Sequence, residues 1–451
     1  MPRGIITATA DRINENHTHH STMATYVKEC RATFDEEPFN EVDSLIFSWL
    51  TYLHIPEEIL PKCPLYDPET HENSIFTDTD SCLIRDFVRA EYLPEMLTEI
   101  WSPEETAELL YALALSPRFE MIRLCFRREE LAHKIGKQFS AMTFQIAPGL
   151  TYIAFKGTDK TLTGWEENFR LCLKDPVPSQ TLAAEYLSSV GEIFRGTLLV
   201  GGHSKGGNLA VFASANCLPE VQDRIQLIFT HDGPGFLKED LEKEGFKRIQ
   251  PRIRKTAPQF SIFGMLMRQE TEPKIIYSYE HGIMQHNATS WKTEGYGFSE
   301  YRYPSPVSQT IKNKLNNWIE SLTYQEKELF IDTVFNILEE TGLDRFGDFK
   351  TNTTEILPVV IREFMKLSPS MQGFLFDLLK QLILASDQNI DPNAVLKTES
   401  MGETGQYDVT YRPTFARPAS ADRIKETELK KFEKHPEDIQ DLMRKYDSMD
   451  F

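Results

Sequence analysis

Three things are scarce in this sequence: paired cysteines, long apolar runs and positive charge. Its 451 residues include six cysteines, Cys30, Cys63, Cys82, Cys125, Cys172 and Cys217, scattered without a CxxC spacing. That pattern excludes a zinc ribbon or a dithiol redox centre, and reduced, mostly buried thiols are expected. No stretch provides the roughly 18 uninterrupted apolar residues of a membrane span. The most apolar late run, Phe374 to Ala385, is broken by Asp377, Lys380 and Gln381. Met1 to Ala24 carries Arg3, Asp11, Arg12, Glu15 and several histidines where a secretory signal would be apolar, so a cytoplasmic location is expected. The 49 Lys and Arg are outnumbered by 68 Asp and Glu, a formal charge of −19. Such a field repels phosphate backbones and anionic bilayers, which argues against nucleic acid as a partner and disfavours membrane contact.

Hydrophobic residues make up 40% and charged residues 26% of the chain, enough apolar surface for a large core. Residues 1–24 read as a polar, flexible leader, with a second methionine at Met23. In FNEVDSLIFSWLTYL, from Phe39 to Leu53, apolar residues recur at three- and four-residue spacing, which predicts an amphipathic helix. Short helices are expected from Pro56 to Leu115, with Ser102 of SPEET as an N-cap. From Phe119 three β-rich runs, FEMIRLCF, FSAMTFQI and LTYIAFKG, predict a meander. A helix over Gln180–Phe194, a strand TLLVGG, a helix after Ser204 and strands IQLIFTHD and KIIYSY then alternate, which predicts an α/β fold with a mostly parallel, helix-covered sheet. The expected α/β domain spans 25–300, with N-terminal helices at 38–115 and a sheet core at 119–290. Beyond it, 304–386 reads as a helical extension or lid, and 387–451 as a charged, flexible tail.

One motif carries chemistry. TLLVGGHSKGGNLAVFASA contains GxSxG as Gly202, His203, Ser204, Lys205 and Gly206. A buried strand running through glycines into a small-residue helix is the context a nucleophile elbow needs, because side chains at the flanking glycines would block the helix from the strand. Ser204 is then the candidate nucleophile, and the N–H of Lys205 a candidate oxyanion donor. A serine hydroxyl needs a histidine to take its proton and an acid to orient that histidine, in the chain order Ser, acid, His. Downstream histidines are His231, His281, His286 and His435, of which His286 best follows the last apolar strand. For the acid, Asp232 in FTHDGPGF emerges at a strand's C-terminal edge, with Glu280 and Asp240 as alternatives.

FKGTDKTLTGWEENF resembles the FRGT-plus-tryptophan pattern of class 3 triacylglycerol lipases, and GGHSKGGNLA resembles their GHSLGGALA elbow. A bacterial lipase-like family, the Mbeg-like domain of unknown function, is closer still. Its patterns are matched by PFNEVDSLIFSWLTYL, GHSKGGNLA, DGPGF and Gln285, His286, Ser290 and Trp291. The resemblance implies the α/β-hydrolase fold, Ser204 as nucleophile, His286 as base, and Gly157 and Thr158 near the oxyanion hole. Two departures stand out: Lys205 replaces the usual leucine, and the Asp-Pro turn expected for the acid is missing, KIIYSYEHG offering only Glu280. The expected function is a serine hydrolase of lipase, esterase or thioesterase type acting on a small acyl ester or lipid-like substrate, with no cofactor and no metal. The alternative is a degenerate hydrolase fold that binds a protein partner through its C-terminal region.

Overall fold

The computed structural model describes residues 20–60, 81–98, 100–132, 137–159, 161–173, 176–341 and 353–373. The proposed leader up to residue 19, the Phe374–Ala385 run, Cys63 and the 387–451 tail lie outside them. The chain divides into two compact units: Met1–Asn336 with Leu343–Phe346, and Ile337–Gly342 with Gly347–Phe451. In the second unit the described helix is Thr353–Phe364.

The first unit is built on one sheet with strand order β1-β2-β3-β4-β5-β6-β7-β8. The strands are β1 (Cys82–Leu83), β2 (Arg123–Ala132), β3 (Lys137–Ala147), β4 (Leu150–Phe155), β5 (Thr197–His203), β6 (Ile225–His231), β7 (Ile253–Pro258) and β8 (Lys274–Ile276). Pairings from β1 to β4 are antiparallel, the expected meander, and those from β4 to β8 are parallel. The central sheet is therefore mostly parallel with flanking helices, the α/β class expected from the sequence. β7 adds a strand to those the sequence pattern predicts, since IRKTAP is too polar to read as a buried strand. Its Lys255 is nonetheless buried and paired with Glu270 at 2.9 Å.

The parallel strands all step in one direction across the sheet. Right-handed crossovers then place every connecting helix on the same face. α-Helices Pro178–Ile193 and Lys205–Asn216 and the short helix Glu244–Ile249 share one core there with Ile153, Phe155, Leu198, Val200 and Ile228. The opposite face must be covered by another part of the chain, and the N-terminal segment does so. Helices α1 (Met23–Glu29), α2 (Glu41–Leu50) and α3 (Pro103–Leu115) form a second core with Phe144, Tyr152, Leu199 and Phe229. Adjacent residues of β4 thus point into different cores, Tyr152 and Ala154 into one and Ile153 and Phe155 into the other.

Two sequence expectations are corrected in this layer. α2 is not amphipathic, because Val42 to Leu50 are all buried. The polar residues that looked like a solvent face are bonded internally: Asp43 to Arg118, Ser44 to His231, and Ser48 to Tyr152. Asn40 caps α2 in a reciprocal box, accepting from Val42 and Asp43 N–H while Asp43 accepts from Asn40 N–H. At α3, Ser102 makes no capping bond. Its Oγ instead accepts hydrogen bonds from Asn287 and Thr289.

Arg118 reaches Asp43 at 2.6 Å with both side chains fully buried, and it donates to the carbonyls of Ala32, Glu37 and Pro38. Removing one partner of a buried pair leaves an uncompensated charge. Arg118→Met is expected to destabilise the protein by about 3–5 kcal/mol. Urea denaturation measures this, and a change below about 1 kcal/mol would show that the pair does not hold the N-terminal layer.

Candidate active site

Ser204 sits where β5 passes into the next helix, with φ 57° and ψ −132°, a conformation that strains a non-glycine residue. The chain can make this turn only because of its neighbours. A Cβ on Gly202 would lie 2.2 Å from the backbone of Gly206, and one on Gly206 would lie 2.1 Å from the Phe155 carbonyl. Both glycines are required by close backbone approach. Ser204 N–H donates to His231 O at 2.9 Å, so neighbouring β6 helps hold the strain.

The structure brings three of the candidate residues together. His286 Nε2 lies 3.0 Å from Ser204 Oγ, and His286 Nδ1 lies 2.6 Å from Asp232 Oδ2. A carboxylate only accepts, so Nδ1 carries the proton and Nε2 is left to accept from the serine hydroxyl. Asp232 is fully buried at the end of β6, with φ 52° and its N–H donated to Thr256 O at 2.7 Å. Ser261 donates to its second oxygen at 2.5 Å. His286 ends a single 3-10 turn, Gly282–His286, and is 23% exposed. The turn is pinned by Trp291 Nε1 donating to Gln285 O and by Gln285 Oε1 accepting from Phe260 N–H.

The other candidates are not in this cluster. Asp240 pairs with Lys243 at 2.7 Å, and the N–H of Glu280 is bonded to Ser278 Oγ. His281 opens the 3-10 turn, and His435 is outside the described residues. His231 is buried, with Nε2 on Ser44 and Nδ1 on Thr256.

Beneath the serine, His203 links three segments. Its Nε2 meets the His286 carbonyl at 3.0 Å, and since a carbonyl only accepts, Nε2 is the protonated nitrogen. Nδ1 then accepts from the Tyr52 hydroxyl at 3.0 Å. Burial first, and the neighbouring His286 and His231 second, hold His203 well below the usual histidine range, in keeping with one proton on the ring. The Tyr52 hydroxyl also takes the N–H of Gly157. Gly157 lies against both Ser204 and the Tyr52 hydroxyl. Thr158 differs, because its hydroxyl is buried without a hydrogen-bond partner. Lys205 presents its N–H at the first turn of its helix, while its side chain runs away to Glu167. Tyr52, Ser261 and Glu167 join the site only through tertiary contacts. Tyr52 lay in the recognised N-terminal run and Glu167 in WEENF, but Ser261 had no sequence signal at all. Among the described residues no group of three or more His, Cys, Asp or Glu side chains is placed to hold a metal ion.

With this geometry in view, the chain can be compared with known proteins. Residues 113–336 match the Mbeg1-like family. That span contains Ser204, Asp232 and His286, but α2 and Tyr52 precede it. No curated protein matches. Among solved structures the chain is similar to the native Rhizomucor miehei lipase propeptide complex, at 15% identity and TM-score 0.27, covering 36% of this chain and 58% of that one. It is also similar to M37 lipase, at 15% identity and TM-score 0.31, covering 50% and 70%. The chain thus spans less than two thirds of the first of these.

Burial pushes His231 down to about 3, so it is neutral in the fold and protonates more readily once unfolded. The stability this contributes is fully present above about pH 6.5 and is lost as pH falls toward 3, with a slope of up to ~1.4 kcal/mol per pH unit. Urea denaturation between pH 7 and pH 4 is expected to show a shallower decline for His231→Gln than for wild type. Parallel curves would count against a neutral His231.

Proposed function

We propose that this protein is a serine hydrolase that cleaves carboxylic ester or acyl bonds through an acyl-enzyme on Ser204. The observation that carries the proposal is His286, held at 2.6 Å by Asp232 and 3.0 Å from the Ser204 hydroxyl. Ser204 Oγ attacks the acyl carbon as its proton passes to His286 Nε2, and the resulting imidazolium is stabilised by Asp232. The negative oxygen that develops is met by the N–H of Lys205 and by the Thr158 hydroxyl, which is otherwise unpartnered. His286 then gives its proton to the leaving alcohol or thiol. Water, deprotonated by the same nitrogen, releases the acid and restores the serine. The scheme calls on no metal and no organic cofactor.

A small acyl ester or lipid-like molecule is the proposed substrate class. No helix among the described residues is long and apolar enough to cross a membrane, and a cytoplasmic location remains our proposal. A degenerate fold serving as a binding module through its C-terminal region drew its support from an unassigned acid. With Asp232 on His286, no observation favours it.

A fluorophosphonate probe is expected to label wild type, to fail on Ser204→Ala, and to label His286→Ala and Asp232→Asn far more slowly. A folded wild type that refuses the probe would remove the proposal. Thr158→Val keeps the shape of the side chain and deletes its hydroxyl. It is expected to lower kcat for a p-nitrophenyl ester by about 10²-fold, the scale for one lost oxyanion donor. An unchanged kcat would take the Thr158 hydroxyl out of the oxyanion site.

A further inference from the structure

We infer that the buried Lys205–Glu167 ion pair is the clamp that sets the two halves of the oxyanion hole at a fixed distance, which makes both of them positioning residues. This rests on Ser204 being the nucleophile. Lys205 follows the serine directly, and its N–H is one half of the hole. Its side chain is completely buried, with Nζ 2.6 Å from Glu167 Oε2 and 2.9 Å from the Gln138 carbonyl. Held there, the ammonium takes no part in proton transfer at Ser204.

Glu167 lies on helix α4 (Leu162–Arg170), which follows the Gly157–Thr158 loop directly. Its carboxylate is saturated, accepting from Lys205, from Ser179 Oγ at 2.7 Å, from Ser179 N–H at 3.0 Å and from Gln138 N–H at 3.2 Å. One turn earlier on the same helix, a Cβ on Gly164 would meet Thr158 Cγ2 at 3.2 Å and Gln138 Oε1 at 2.3 Å, so Thr158 packs directly on the bare helix backbone. Gln138 Oε1 also accepts from the N–H of Asp159, in the same loop. A continuous path of contacts therefore runs from Lys205 through Glu167 and Gly164 to Thr158.

Energetics say why a charged pair should stand where an apolar residue would pack. Two fully desolvated charges seldom add stability over apolar side chains of similar volume. What the pair does supply is direction: a saturated carboxylate admits one placement of the ammonium, and with it one placement of the helix start. A displacement of the order of 1 Å at such a site costs about 10²-fold in rate.

The test uses the full chain and p-nitrophenyl butyrate, with phenylboronic acid as an inhibitor whose tetrahedral serine adduct places an oxygen in the hole. The double variant Lys205→Met with Glu167→Gln removes both charges and keeps an oxygen to accept from Ser179. It is expected to melt close to wild type while kcat falls by about 10²-fold, KM hardly changes, and boronic acid binding weakens in proportion to kcat. A folded double variant with wild-type kcat and boronic acid affinity would overturn the clamp. If the double variant does not fold, Glu167→Asp decides, since it keeps the charge and withdraws the carboxylate by one methylene. A lower kcat at constant KM is then expected, and an unchanged kcat would overturn the clamp. Wild type that labels with fluorophosphonate beside a fully active variant sinks only the clamp, whereas unlabelled, inactive wild type sinks the hydrolase proposal itself.

Discussion

Everything at the site depends on how closely the helix after Ser204 approaches the two strands beside it. Gly206 lies against the Phe155 carbonyl and Gly202 against Gly206, so the helix starts almost on top of β4 and β5. That contact forces Ser204 into the left-handed region at the end of β5. It also brings Gly157 against Ser204. Strain of this kind costs of order 1–3 kcal/mol and persists only where the surroundings over-determine the backbone. Here the surroundings are the bond from Ser204 N–H to β6 and the packing of two buried cores.

The second organising fact is the one-directional stepping of the parallel strands. It commits the crossover helices to one face and leaves the other to the N-terminal segment. α2 consequently became a buried element, and its polar residues had to find internal partners. That burial also serves the site, because Tyr52, just beyond α2, bonds His203 and Gly157. His203 in turn holds the carbonyl of His286. The N-terminal layer thus closes a core and ties the Gly157–Thr158 loop to the Gly282–His286 turn.

Among the described residues, buried charge recurs as pairs. Asp43 with Arg118, Lys255 with Glu270 and Glu167 with Lys205 all lie almost wholly out of solvent. Isolated charges could not be tolerated there, and each pair ties together segments that are distant in sequence. Tight packing with charge-paired joints suits a site in which three side chains must meet within hydrogen-bond distance.

Local pattern alone determined the α/β class, the meander, the β5–Ser204–helix junction and the shortlist of histidines. Each of these rests on short-range physics: strand periodicity, glycine at close approach, and the scarcity of downstream imidazoles. Only the tertiary structure distinguishes the candidate carboxylates, because Asp232, Glu280 and Asp240 look alike in sequence. What separates them is which carboxylate the end of β6 delivers to His286 Nδ1. The same is true of β7, whose Lys255 reads as a surface residue until Glu270 comes into view. It is true of Ser261, Tyr52 and Glu167 as well, whose partners are distant in sequence. A sequence can state which groups must be satisfied, but the partner that satisfies each is chosen by the packing of elements far apart in the chain.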